Sequence, residues 1–323
     1  MSDKPRLLMP SAGRKVLLLR ELGRFFDVFP CGYAPQDSAA ACLAARDNFI
    51  EQPRDLDKKG WQEWIVETCR RQRIEVVLPV RDGDMLPLDD ARHRLKQVGA
   101  TLVMSPRYSV KVANDKMETY RRLASVVPVP VTIPDAGWQP MVGRPMFFPV
   151  FAKDRYGAGS VVARKCVSPE DLADMCARHP DLVAQPYIAG QEYTVDAFYT
   201  WDNRLHQFVV RKRLRVLDGQ MEYGEVVSPP KAIVDALVAM KCLRFAGPVN
   251  FQFIEGAEMW LTDMNLRFSG GIGLTIAAGA DFPRYLYCLV AGGEIPVMQV
   301  DPIKAIAFTD YVYTNPEVEH ARE

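Results

Sequence analysis

Along the first hundred residues, short unbroken apolar runs trade places with stretches whose apolar positions recur at helical spacing. Arg6 to Pro10 reads as a strand, VLLLRELGRFF at 16–26 as a helix, Phe29 to Tyr33 as a second strand, and Asp47 to Ile50 leads a third. Trp61 to Gln72 returns to helical spacing, and EVVLP at 75–79 has the continuous apolarity of a strand covered on both faces. The order β, α, β, α, β predicts a small doubly wound sheet. Ser11 is placed to cap the first helix, and the same turn would also suit an anion, although it is not a GxGxxG motif. Asp82 and Asp84 lie just past a strand end, where open α/β sheets bind ligands, or else cap the helix that follows.

The pattern then changes. Residues 105–123 read as a linker and one helix with Asn114 or Asp115 as its cap. Pro128, Pro130, Pro134, Pro140, Pro145 and Pro149 exclude a continuous helix and mark the entry to a second lobe. Two apolar strands flank a Gly-x-Gly-Ser turn within 149–164, a helix follows at 169–178, and 182–197 reads as strand, short link, strand. Beyond it, FVVRKRLRV at 208–216 alternates so that Arg211, Arg213 and Arg215 share one face. Helices are predicted over 230–244 and 274–290, with a hairpin of Val249–Ile254 and Met259–Asn265 between them. A short strand through Val312 precedes a polar end that should fray. This divides the chain into residues 1–107, 108–190 and 191–323.

Composition narrows the function classes. The 323 residues are 48% hydrophobic with a formal net charge of zero, which gives no basic excess for general nucleic-acid or membrane-surface binding. The apolar run near the N-terminus is too short for a signal peptide and none is long enough to span a membrane, so a cytoplasmic protein is expected. Seven cysteines without CxxC spacing argue against a zinc site or a disulfide framework.

The chemistry concentrates in the hairpin. If Glu255–Glu258 form its loop, Gln252 lies opposite Leu261 and Asn250 opposite Asp263, and Asn250, Gln252, Asp263 and Asn265 share one face. Such a face suits Mg²⁺ carrying phosphate oxygens, since these sites use few protein oxygens. An amphipathic hairpin with a solvated polar face is the alternative. Arg267 follows with the same parity, and Ser269-Gly270-Gly271 lets backbone approach a ligand. Lys153 ends a strand where its ammonium could meet phosphate, and Gly157, Gly159 and Ser160 form a turn able to point N–H groups at a polyphosphate. Gln185, Pro186, Tyr187 and Ile188 could offer backbone groups to an adenine edge, with Glu192 placed for ribose hydroxyls. A row of arginines repels itself unless it is solvated or faces an anion.

Taken in order, Asp115-Lys116, Lys153, Gly157-x-Gly159, Gln185 to Glu192, Arg211-x-Arg213, Gln252 and Asp263-x-Asn265-x-Arg267 resemble the ATP-grasp superfamily, closest to its carbamoyl-phosphate-synthase-like branch. Three positions depart from the pattern: Asp263 stands where Glu is usual, Leu266 where Pro is usual, and Asp154 where Pro often follows the lysine. The resemblance implies an α/β ATP-grasp fold behind an N-terminal Rossmann-like domain, in which SAGR and LPVRDGD resemble the acceptor-site segments. It implies Lys116 and Lys153 on the nucleotide, Arg211 and Arg213 on a triphosphate or acyl-substrate wall, and Arg267 beside them. Gln252, Asp263 and Asn265 would hold the metal. The implied cofactors are ATP and Mg²⁺, with Mn²⁺ as a substitute.

The implied reaction is carboxylate–amine ligation through an acyl phosphate with release of ADP and phosphate. Its partners would be small-molecule acids and amines, amino acids among them, and a homodimer is compatible. Two rivals stand beside it: carboxyphosphate and carbamate chemistry, and a nucleotide-binding sensor without turnover.

Overall fold

The computed structural model describes residues 4–13, 15–33, 46–134, 148–157, 162–217, 220–308 and 311–313. Gly159 and Ser160, and Pro140 and Pro145, lie outside these described residues.

Five parallel strands form the first sheet in the order β3-β2-β1-β4-β5. They are β1 (Arg6–Met9), β2 (Asp27–Gly32), β3 (Ile50–Glu51), β4 (Val76–Val77) and β5 (Thr101–Leu102). Leu7 and Met9 enter one core with Leu18, Leu22 and Phe26, and Leu8 enters the other with Ile65, Leu88 and Leu95. Burial on both faces is why these strands read as apolar runs rather than alternating ones. Both cores continue into the last lobe, through Phe198 and Tyr285 in the first case and Val195 and Phe251 in the second.

Two caps predicted here are not made. Helix α1 (Val16–Leu22) begins after Lys15, while Ser11 sits at φ +50° and its hydroxyl bonds Asp84. In the next helices, α2 (Lys58–Gln72) and α3 (Asp82–Asp90), Asp57 caps α2 but α3 has no side-chain cap. Asp82 and Asp84 are engaged elsewhere. Helix α4 (Arg92–Gln97) completes this lobe.

The stretch expected to be a linker is itself a helix, α5 (Arg107–Asn114), and the expected helix follows as α6 (Lys116–Leu123) with Asp115 as its cap. Asp115 leaves helical conformation between them and its carboxylate accepts the Met117 and Glu118 amides at 2.9 and 3.4 Å. A small antiparallel sheet follows in the order β6-β9-β7-β8. Its strands are β6 (Ile133–Pro134), β7 (Val150–Asp154), β8 (Ala163–Cys166) and β9 (Leu182–Pro186). It packs on α7 (Pro169–Arg178), which Ser168 caps and Pro169 opens, through Val150, Leu172, Met175 and Leu182.

The last sheet is antiparallel with seven strands in the order β14-β13-β10-β11-β12-β15-β16. These are β10 (Gln191–Tyr199), β11 (Leu205–Leu217), β12 (Gln220–Val227), β13 (Gly247–Glu255), β14 (Met259–Asn265), β15 (Lys304–Phe308) and β16 (Tyr311–Tyr313). Helix α8 (Lys231–Ala239) is shorter than predicted, and the stretch expected to be one helix is α9 (Ile272–Ala277) and α10 (Phe282–Ala291). Gly279 breaks it at φ +108°, where any Cβ would fall 2.5 Å from the Gln299 carbonyl oxygen. Asp281 then caps α10 and pairs with Arg24 at 2.8 Å, tying the last lobe to the first.

Candidate functional site

A cleft of about 1010 Å³ opens where the three sheets meet. Its floor is built from residues lined up across strands. Asp263, Gln252, Thr194 and Arg211 are successive partners across β14, β13, β10 and β11, and Asn265, Asn250 and Asp196 form the next row. Side chains so paired lie on one face and within reach of one another.

The hairpin register differs from the one predicted. Glu255 pairs with Met259, so the loop is one residue shorter, and the ladder shifts at Thr262 so that Gln252 faces Asp263 and Asn250 faces Asn265. A bulge re-aims side chains by adding one residue to one strand. Without it, Asp263 would oppose Phe251 and point into the core. With it, Leu261 joins Phe253 in the core, each fully buried, and Asp263 turns to the cleft. The bulged Thr262 carbonyl also accepts the Lys153 ammonium at 2.9 Å.

Two lysines stand over this row. Burial lowers the Lys153 ammonium to about 8; Asp263 opposes the shift and Lys116 adds to it. Lys116, itself buried, donates to the Gly157 carbonyl at 2.6 Å and lies 3.9 Å from Asp263 Oδ1. The turn at Gly157 is clasped to the linker: its amide donates to the Asn114 carbonyl at 3.0 Å, and Arg155 grips Asp115 in a two-pronged pair at 2.9 and 2.8 Å. Burial opposes charge on Asp115, but the Arg155 and Met117 hydrogen bonds outweigh it and hold the carboxyl below its ordinary value.

At the hinge, the Gln185 side chain donates to Thr132 Oγ1 at 2.8 Å, and the Tyr187 amide is already taken by the Pro149 carbonyl at 3.1 Å. Pro186, Tyr187 and Ile188 line the cleft with Glu192, whose carboxylate pairs with Arg213 at 2.9 Å. Burial lowers the Arg213 guanidinium from its ordinary value, with Glu192 opposing. Arg211 pairs with Asp196 at 2.8 Å and donates to Ser269 at 2.9 Å. The predicted row of three arginines is broken: the register shifts between Arg213 and Arg215, and Arg215 pairs with Glu222 away from the cleft. Arg267 reaches Asp82 of the first lobe at 2.6 Å and Asn265 Oδ1 at 3.4 Å.

The structure thus brings Lys116, Lys153, Gly157, Gln185, Pro186, Tyr187, Ile188, Glu192, Arg211, Arg213, Gln252, Asp263, Asn265 and Arg267 into one cleft. Sequence reasoning missed Thr194 and Asp196, although their parity with Glu192 in an otherwise apolar strand signals a shared polar face. It also missed Thr275, which donates to Asp196 from α9. The donor set fits a magnesium ion: one carboxylate, Asp263, beside the amides of Gln252 and Asn265, leaving positions for phosphate and water. Among the described residues no cluster of three or more His, Cys, Asp or Glu forms a closed metal cage.

Residues 178–311 match the family described as ATP-grasp in the biosynthetic pathway with Ter operon. Over 157 residues the chain is 26% identical to a D-alanine–D-alanine ligase of Thermotoga petrophila, covering 45% of this chain and 51% of that one. The match therefore spans about half the length of this curated relative. The fold is similar to the biotin carboxylase domain of Hydrogenobacter thermophilus 2-oxoglutarate carboxylase, solved with MgADP, ADP and bicarbonate. There the TM-score is 0.72 at 14% identity, over 93% of this chain and 72% of that one. An L-amino acid ligase from Bacillus licheniformis superposes with a TM-score of 0.69 at 13% identity, over 92% of this chain and 78% of the other.

Proposed function

We propose that the chain is an ATP-grasp enzyme and, within that superfamily, an ADP-forming ligase joining a small carboxylic acid to an amine. The observation that carries this reading is the convergence of part-buried Lys153 and buried Lys116 on the Thr262–Asp263 strand end, with Gln252 beside Asp263 in the same sheet row. Two ammonium groups held next to a metal-type donor set suit the terminal phosphates of a nucleotide.

In this reading the residues divide the work. Glu192 takes ribose hydroxyls and Gln185 to Ile188 meet the base, with the Tyr187 amide already committed within the protein. Lys153 and Lys116 hold phosphate oxygens, Arg267 holds charge on the transferred group, and Arg211 and Arg213 divide the triphosphate and acyl-substrate wall between them. Gln252, Asp263 and Asn265 would bind Mg²⁺, or Mn²⁺ in its place, which supplies charge neutralisation on the phosphates. A carboxylate oxygen attacks the γ-phosphorus, the bond to the ADP oxygen breaks, and an amine then displaces phosphate from the acyl phosphate. Residues 1–107 would form the acceptor side, 108–190 the small lobe and 191–323 the large one. The relatives' names, D-alanine–D-alanine ligase and L-amino acid ligase, favour amino acids among the substrates. No helix among the described residues is long and apolar enough to cross a membrane, and we place the enzyme in the cytoplasm, where homodimers are compatible with it.

The test is ADP release over a panel of acids with hydroxylamine as the amine. A hydroxamate formed in step with ADP supports the reading, and AMP with pyrophosphate overturns it. The likeness to a carboxylase domain solved with bicarbonate favours a second reading, carboxyphosphate chemistry, which bicarbonate-dependent ADP release without hydroxamate would reveal.

A further inference from the structure

Arg211 is buried like a core residue yet forms part of the cleft wall. Its side chain and that of Asp196 are each 1% exposed, and Nε donates to Asp196 Oδ2 at 2.8 Å. The same carboxylate oxygen accepts the Thr275 hydroxyl in a short hydrogen bond, while Asp196 Oδ1 has no hydrogen-bond partner among the described residues. Arg211 Nη2 donates to Ser269 at 2.9 Å, and among the described residues Nη1 meets only the Met221 sulfur, at 3.4 Å. A thioether is a weak acceptor and a guanidinium carries five N–H donors, so donor capacity remains on the cleft side. Gly271 closes that side: a Cβ there would fall 2.5 Å from Nη1.

A buried ion pair is no more stabilising than a well-packed apolar one, so filling the core does not explain this arrangement. It does fix a guanidinium in one orientation. Arg213, one sheet row away, is instead engaged by Glu192 at 2.9 Å beside the hinge segment.

We propose that Asp196 and Thr275 are positioning residues that hold Arg211 as the cation for a phosphate-like oxyanion at the Ser269–Gly271 end of the cleft. Arg213 then belongs to the nucleotide side. This assignment rests on the ligase reading above, and it divides two arginines that the sequence could not tell apart.

The experiment uses the full chain saturated with MgADP and titrated with inorganic phosphate as the probe for the transferred group. Thr275→Val and Asp196→Asn should each weaken phosphate about tenfold while leaving MgADP affinity within roughly twofold. Gly271→Ala should also weaken phosphate, by displacing Nη1. In Arg211→Ala, added guanidinium should restore phosphate binding, and it should fail to do so once Asp196→Asn is combined.

Thr275→Val removes only a hydroxyl, so a failure of Asp196→Asn to fold leaves the test intact. Unchanged phosphate affinity in folded Thr275→Val overturns the proposal. So does an equal loss of phosphate and MgADP, which marks a merely structural role, or rescue that ignores Asp196. Wild-type protein that binds MgADP but not phosphate also overturns it and leaves the ligase reading standing. Absence of MgADP binding overturns that reading itself.

Discussion

The lysine side and the arginine side of the cleft handle buried charge in opposite ways. Lys153 and Lys116 donate to backbone carbonyls of Thr262 and Gly157, and among the described residues their nearest carboxylate contact is Lys116 to Asp263 at 3.9 Å. Arg211, Arg213 and Arg267 each have a carboxylate at hand, Asp196, Glu192 and Asp82, at 2.8, 2.9 and 2.6 Å. A lysine shifts its pKa readily on burial whereas a guanidinium stays charged and keeps its fork geometry. The lysine side is thus a site whose charge is completed by what binds, and the arginine side is oriented beforehand.

Breaking the arginine side should cost most. Asp196→Ala leaves Arg211 buried and uncompensated and should destabilise the fold by roughly 3–5 kcal/mol, read from urea unfolding. Lys153→Met should do the reverse in the free protein. Its folded pKa, about 8, lies below that of an exposed lysine, so the unfolded chain binds more protons between these values and stability rises with pH there. The variant's advantage in melting temperature should therefore be full below about pH 8 and fade above it.

Turnover should rank differently. Lys153→Ala should lower the rate of ADP release by roughly 10²–10³, the cost of losing one preorganised charge partner. A rate within a few fold of wild type would remove the lysine side from the chemistry. The same residue sets a pH signature: near pH 8 part of the free protein has lost this proton, and binding a polyphosphate should restore it. Calorimetry in buffers of different ionisation enthalpy should show proton uptake with MgATP, absent in Lys153→Met, and affinity should fall as pH rises past 8.

The smallest effect belongs to the half-exposed pair. Glu192 is 42% exposed in its side chain, so its bond to Arg213 is screened by water. Glu192→Ala should weaken ATP and GTP equally, by roughly 0.5–1.5 kcal/mol, because ribose is common to both. Unequal losses would move base recognition away from Gln185 to Ile188.

What could be read from the sequence was the set of polar positions and their parity, not what holds them. Gln252 and Asp263 share a face as alternation implies, but through two offsets that cancel: a loop one residue shorter and a bulge at Thr262. Neither has a marker in residue type. Helical spacing ran across Asp281, a cap embedded in a continuous apolar pattern, whereas Asp115 was legible as the cap of the helix it opens. Ser11 was misread since its left-handed backbone turns the hydroxyl toward Asp84. The pairs that orient the site join residues far apart in the chain, as Thr275 to Asp196 at a separation of 79, and no local pattern encodes them.

The bond between Asp82 and Arg267 closes a separation of 185 residues. During synthesis at about 5–20 residues per second, Asp82 emerges on the order of 10–40 s before its partner exists. For that interval Asp82 has no Arg267 to pair with, and the polar rows of β13 and β14 that floor the cleft are completed only at its end. The cleft therefore closes late in synthesis, and on the ligase reading a nascent chain should gain nucleotide affinity only after residue 267 has left the ribosome.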